Sequence, residues 1–134
     1  MQQEWVGEAK IDRIDDVTEF VNAALEAVDC PMKAQMQIDI AIDEVLANVA
    51  QYAYAPGTGS VRVLVDPKPG AVTITFIDRG TPYNPLEHTD PDTTLSAEDR
   101  QIGGLGILLV KRTMDAVRSE FRDGQNILSI RKEF

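Results

Sequence analysis

The chain reads as an α+β two-layer sandwich, and three observations predict it. Residues 60–78 and 119–130 each carry two strand signals flanking a tight-turn signal, the mark of an antiparallel hairpin. Residues 15–28 and 32–53 repeat apolar side chains at helical spacing with no strand between them. The resulting order, β-α-α-β-β-loop-α-β-β, lacks the alternation that a doubly wound parallel sheet requires. A length of 134 residues fits one domain, 1–134, since a chain of ~150 residues buries roughly two-thirds of its unfolded surface.

Taken in order, 5–11 alternates loosely and suits a strand. Asp15 or Asp16 is placed to cap a helix in which Val17, Phe20, Val21, Ala24, Leu25 and Val28 recur at helical spacing, and Pro31 breaks it after Cys30. A second helix is expected over 32–53, with Met36, Ile40, Val45, Val49 and Tyr52 as its apolar positions, stopped by Pro56-Gly57-Thr58-Gly59. Residues 60–66 alternate, 67–70 read as a turn, and the β-branched run 71–78 completes the first hairpin. The stretch 81–101 holds three prolines and few core-forming side chains, so a lid, a binding loop or disorder is expected there. A third helix is expected over 107–117, then a final hairpin turning at Asp123-Gly124.

Composition excludes whole classes of function. Thirteen basic against 22 acidic residues give a net charge of −9, which opposes phosphate-neutralising nucleic-acid binding and an anionic membrane as main partner. One cysteine and one histidine exclude a disulfide framework, a Cys-rich zinc site and any site built on two histidines. No apolar run approaches the ~20 residues of a membrane span. The N-terminus lacks a basic segment followed by an apolar one, so no signal peptide and a cytoplasmic location are expected.

Three islands could carry chemistry, each with a plainer alternative. Glu44 and Asn48 lie four apart on the second helix, hence on one face. They could offer oxygen ligands to Mg²⁺, or a base beside a metal ligand; an ordinary exposed Glu/Asn pair is the alternative. Asp78-Arg79-Gly80 closes a buried-looking strand, where an acid can face a ligand's amino group or simply punctuate a turn. Gly103-Gly104-Leu105-Gly106 opens the third helix, where converging N–H groups and the helix dipole favour an anion. A hinge for the preceding loop is the alternative, and neither the P-loop nor the dinucleotide spacing is present.

Together and in this order, the islands resemble the ATP-binding domain of the GHKL (histidine-kinase-like ATPase) superfamily, which includes gyrase, heat-shock chaperone and histidine-kinase ATPase domains. Within it the chain is most similar to the small anti-sigma-factor serine kinases. Glu44-x-x-x-Asn48-x-x-x-Tyr52-Ala53-Tyr54 resembles the family's N motif, and Asp78-Arg79-Gly80-Thr81-Pro82-Tyr83-Asn84-Pro85 its adenine motif. Gly103-Gly104-Leu105-Gly106-Ile107-Leu108-Leu109-Val110-Lys111, running into Met114-Asp115, resembles its second glycine motif. The resemblance implies a mostly antiparallel mixed sheet packed on about three helices.

It also implies roles. Asn48 would coordinate Mg²⁺ on the phosphates of ATP, and Glu44 would orient or deprotonate the attacking hydroxyl. Asp78 would accept the adenine amino group, with Gly80 allowing close approach of the ligand. Gly104, Leu105 and Gly106 would give backbone donors to the phosphates, Gly103 would let the lid close, and Arg100 would neutralise phosphate charge. The implied activity is a protein serine/threonine kinase that phosphorylates an anti-sigma-factor antagonist of the STAS type and sequesters a sigma factor, with a homodimer as a family-level expectation. Tyr52 stands where the family often has His, and does not titrate near neutral pH. That departure motivates a second reading, a nucleotide-gated binding module without turnover. A detached histidine-kinase ATPase domain comes third, since His88 sits in a Pro-rich loop. Cys30 reads as a helix-end residue, and Trp5 and Phe20 as core or dimer-surface residues.

Overall fold

In the computed structural model, which describes residues 2–54, 57, 59–82 and 105–134 and leaves the side chains of Leu105 and Gly106 undescribed, one sheet carries three helices on one face. The strands are β1 (Gln3–Glu8), β2 (Ser60–Lys68), β3 (Ala71–Asp78), β4 (Ala116–Arg122) and β5 (Gln125–Glu133). The helices are α1 (Ile14–Glu26), α2 (Met32–Asn48) and α3 (Leu105–Thr113). Sheet order is β1-β2-β3-β5-β4, and all four pairings are antiparallel, so the expected mixed sheet contains no parallel pair among the described residues.

Alternation builds the inner face. Val61, Val63 and Val65 of β2 and Val72, Ile74 and Phe76 of β3 are buried, with Ile130 of β5 beside them. Against this face pack Val17, Val21 and Leu25 of α1, Ile38, Ile42 and Val45 of α2, and Val110 of α3. Trp5 and Phe20 are partly buried against the same core. Both hairpins form, but the first turn is tighter than the expected 67–70: Pro67 and Lys68 pair with Val72 and Ala71 in the ladder, leaving Pro69-Gly70 as the turn. Gly70 (φ 84°) turns the first, and Asp123 (φ 55°) with Gly124 (φ 75°) turns the second in the left-handed pair that suits strand twist.

Several boundaries differ from the sequence expectation. β1 lies over Gln3–Glu8, because its pairing with β2 ends at Glu8 opposite Ser60 and a 3-10 turn follows at Ile11–Arg13. Neither Asp15 nor Asp16 caps α1: Arg13 precedes the helix without a side-chain cap bond, and burial of Ile14 draws the helix start upstream. Both acids occupy the first turn, where the helix dipole favours them. Val28 falls beyond α1, in a turn whose Asp29 has φ 55° and whose Cys30 N–H donates to the Leu25 carbonyl.

The apolar face of α2 is also shifted. Met32, Met36 and Ile40 follow a four-residue step onto the outer side, where they are 70%, 57% and 48% exposed. Tyr52 is exposed as well, and the core-facing row is Ala34, Ile38, Ala41, Ile42, Val45 and Val49. The α-helix ends at Asn48 and continues as a π-helical turn, Val49–Ala53. At the other end of the chain α3 stops at Thr113, short of Val117. Asp115 N–H donates to Arg131 O and Val117 pairs with Ile130, so sheet pairing overrides the helical period there.

Candidate functional site

Two buried polar side chains interrupt the inner face of the sheet among the described residues, and they face each other. The inward positions of β3 run Val72, Ile74, Phe76, Asp78; those of β5 run Ile130, Leu128, Asn126. The register sets Asp78 directly opposite Asn126, close enough for their side chains to interact. Each is only 7% exposed, so each needs polar partners. Asn126 Nδ2 donates to Asp78 Oδ1 at 2.9 Å and to the Thr81 carbonyl at 2.9 Å. Gly80 N–H donates to the same Asp78 Oδ1 at 2.9 Å. Both bonds fall on Oδ1, which leaves Oδ2 without a partner among the described residues. A carboxylate held in this way offers one acceptor oxygen in a set direction.

On α2, Glu44 and Asn48 lie one turn apart, and Asn48 Nδ2 makes a long 3.4 Å bond to Glu44 Oε1. Asn48 is 6% exposed, and its amide oxygen is unpartnered among the described residues. Burial pushes the Glu44 carboxyl above the usual carboxylate range; the Asn48 bond opposes the shift and the charge of Asp43 adds to it. Desolvation thus makes Glu44 a stronger proton acceptor than a surface glutamate.

Asn48 and Asp78 line one cleft between α2 and the sheet, open to solvent at its mouth. Its walls are Val45, Val49, Phe76, Leu128 and Ile107, which stands near the start of α3. Leu105 and Gly106 open that helix. The structure therefore brings Asn48, Asp78 and the beginning of α3 around one space, with Glu44 beside Asn48. Arg100, Gly103, Gly104, His88, the rest of the 81–101 stretch beyond Pro82 and the Tyr83-Asn84-Pro85 part of the adenine motif lie outside the described residues.

Gly80 has a requirement that the sequence reading did not contain. A Cβ there would stand 2.1 Å from the Ala53 carbonyl oxygen, the atom that accepts the Thr81 N–H at 2.7 Å. Asn126 is the functional candidate that sequence reasoning missed. A signal for it exists, because the alternation that turns Leu128 and Ile130 inward also turns Asn126 inward; its partner becomes visible only once β5 is known to lie beside β3.

Whether the residues fit a nucleotide and Mg²⁺ can be judged from these donors and acceptors. The Asp78 Oδ2, unpartnered among the described residues, suits an amino group, and the apolar walls suit a flat base. Among the described residues, no group of three or more His, Cys, Asp or Glu side chains could hold a metal ion. A cation at Asn48 would thus rely on one protein oxygen plus phosphate oxygens and water, which is the habit of Mg²⁺. Among the described residues no helix is long and apolar enough to cross a membrane.

Comparisons with known proteins agree with this fold. The model of the histidine kinase-like ATPase domain family matches residues 7–132. The serine/threonine-protein kinase BtrW of Bordetella bronchiseptica is 27% identical over 99 residues, covering 73% of this chain and 70% of that protein. Among solved structures, the RsbU and RsbW domains of Rv1364c from Mycobacterium tuberculosis superpose with a TM-score of 0.69 at 16% identity, over 99% of this chain and 32% of that one. This chain thus spans about a third of the mycobacterial one. The SiaB–SiaC complex of Pseudomonas aeruginosa gives 0.62 at 16% identity, over 98% of this chain and 89% of the matched chain. At such identities these two structures show the fold alone.

Proposed function

Because the chain belongs to the histidine kinase-like ATPase domain family, we propose that it is an ATP-dependent protein serine/threonine kinase, acting as one domain over 1–134. Its substrate is an anti-sigma-factor antagonist of the STAS type, and it also sequesters a sigma factor. The observation that carries the nucleotide reading is Asp78, whose Oδ1 is held by Asn126 and Gly80 while Oδ2 has no partner among the described residues. The kinase reading draws on Glu44, raised in basicity by burial, and on the kinase name borne by the Bordetella relative. The partner reading draws on the family resemblance of the motifs and on the solved complex of one fold neighbour with another protein. A cytoplasmic location and a homodimer belong to the same proposal.

The chain's own groups would divide the work. Asp78 accepts the adenine amino hydrogens, and Val45, Val49, Phe76 and Ile107 exclude water from the base. The Asn48 amide oxygen would hold Mg²⁺, and the backbone N–H groups of Gly104, Leu105 and Gly106 would receive the phosphates, with Arg100 adding charge and Gly103 serving as hinge. Mg²⁺, when bound, neutralises charge on the transferring phosphoryl group. Glu44 takes the proton of the attacking serine or threonine hydroxyl as its oxygen bonds to phosphorus and ADP leaves. Positioning and charge stabilisation supply most of such a reaction, so this short set suffices.

Calorimetry with Mg-ATP on wild type, Asn48→Ala and Asp78→Asn tests the site: binding by wild type and loss in both variants is expected, and a wild type that does not bind overturns the proposal. Phosphate transfer from labelled ATP to a STAS-type partner, abolished in Glu44→Ala with partner binding intact, tests the kinase step. Absence of transfer by the wild type would favour the nucleotide-gated module instead.

A further inference from the structure

We propose that the Tyr54 hydroxyl is a positioning residue of this nucleotide site, fastening the exit of α2 to the loop after Asp78 so that the carboxylate meets the base in one orientation. The inference rests on the reading of the cleft as a nucleotide site and deepens it. Tyr54 follows the π-helical turn and is half-buried. Its hydroxyl donates to the Ser60 carbonyl at 2.6 Å and accepts the Arg79 N–H at 2.7 Å. One oxygen therefore joins the end of α2, the start of β2 and the end of β3.

The three amides after Asp78 show what the join controls. Arg79 N–H goes to Tyr54, Gly80 N–H to Asp78 Oδ1, and Thr81 N–H to the carbonyl of Ala53. The middle bond aims the carboxylate, and the flanking two are both taken by consecutive residues of the α2 exit. Orientation of Asp78 thus depends on a loop clamped from both sides. Two glycines let the clamp close: a Cβ on Gly59 would stand 2.3 Å from the Tyr54 ring, and one on Gly80 would strike Ala53 O. Burial raises the phenol's pKa above its ordinary value, with the Arg79 bond opposing, so the hydroxyl keeps the proton it donates to Ser60. Glu44 and Asn48 lie earlier on α2 and take no part in these bonds. Loss of the hydroxyl is therefore felt at the base, not at the phosphates.

The test compares ATP and GTP affinities of wild type and Tyr54→Phe, by displacement of a ribose-labelled fluorescent ADP, with melting temperatures taken alongside. Phe keeps the ring against Gly59 and leaves Arg79 N–H and Ser60 O to water. Tyr54→Phe is expected to lose roughly three- to tenfold in ATP affinity, the worth of about one hydrogen bond, with GTP affinity unchanged. The ATP-over-GTP ratio falls by the same factor. Gly59→Ala, which pushes the ring away from the other side, is expected to lower the ratio likewise. An unchanged ratio in Tyr54→Phe overturns the inference while leaving ATP binding by the wild type intact. Equal losses for both nucleotides overturn it too, because general loosening does not discriminate between bases. A wild type that binds neither nucleotide overturns the reading of the cleft and this inference with it.

Discussion

Replacing Asn126 by Ala removes the donor that ties β5 to the end of β3, and the structure sets the size of the effect. Two good bonds disappear, one to the Asp78 carboxylate and one to the Thr81 carbonyl, both 2.9 Å. A hydrogen bond to a charged group contributes about 1.5–3 kcal/mol and a neutral one about 1 kcal/mol. Their sum is ~2.5–4 kcal/mol, which water entering through the open cleft reduces to roughly 2–3 kcal/mol. With a urea dependence of about 1–3 kcal/mol per molar, the unfolding midpoint falls by roughly 0.7–3 M. Equilibrium urea unfolding of wild type, Asn126→Ala, Asp78→Ala and the double variant measures both the cost and the coupling. A coupling of ~1.5–3 kcal/mol is expected, since the two side chains form one buried unit. A cost below about 0.5 kcal/mol, or additive single effects, would refute the reasoning.

Gly80→Ala forces a Cβ onto the Ala53 carbonyl, so the loop must move; a loss of roughly 1–3 kcal/mol in urea unfolding, as for overpacking, together with weakened ATP binding, is expected. Glu44 holds its proton more firmly folded than unfolded, so its ionisation costs stability above the raised folded pKa, and that cost is absent below the ordinary carboxylate value. Glu44→Gln keeps an acceptor for Asn48 and is therefore expected to gain stability at pH 7, with the gain vanishing by about pH 4, while phosphoryl transfer is lost. Gly124→Ala meets no neighbour within 4 Å but must hold φ 75°; a conformational cost of about 1 kcal/mol is expected in the same assay. Met36→Gln, on the outer face of α2, should stay within about 0.5 kcal/mol of wild type by thermal unfolding.

Much of the architecture was legible because it rests on short-range chemistry. Asp123-Gly124 dictates a hairpin wherever it stands between alternating strands, and the β-branched run 71–78 has no competing period. Glu44 and Asn48 were placed on one face by helical spacing alone. Boundaries were less legible, because they are decided by competition between local preference and distant partners. Val117 fits a helical period, yet pairing with Ile130 is worth more and ends α3 early. Met36 and Ile40 look like core residues, but α2 rests on the sheet through Ile38, Ile42 and Val45.

By itself the sequence determined the order of the elements, the two hairpins and the identity of three chemically unusual islands, since each is written in residue type and spacing over a few neighbours. Only the tertiary structure decided which of them share a cleft. Pairing of β3 with β5 spans a long excursion of the chain, and no local signal reports it. That pairing sets Asn126 opposite Asp78 and turns its donor onto one carboxylate oxygen, Oδ1. The same closure brings the α2 exit onto Gly80 and Thr81 through the Ala53 carbonyl. Directed hydrogen bonds between residues far apart in the chain are a property of packing, and packing exists only when the whole sheet and its helices have met.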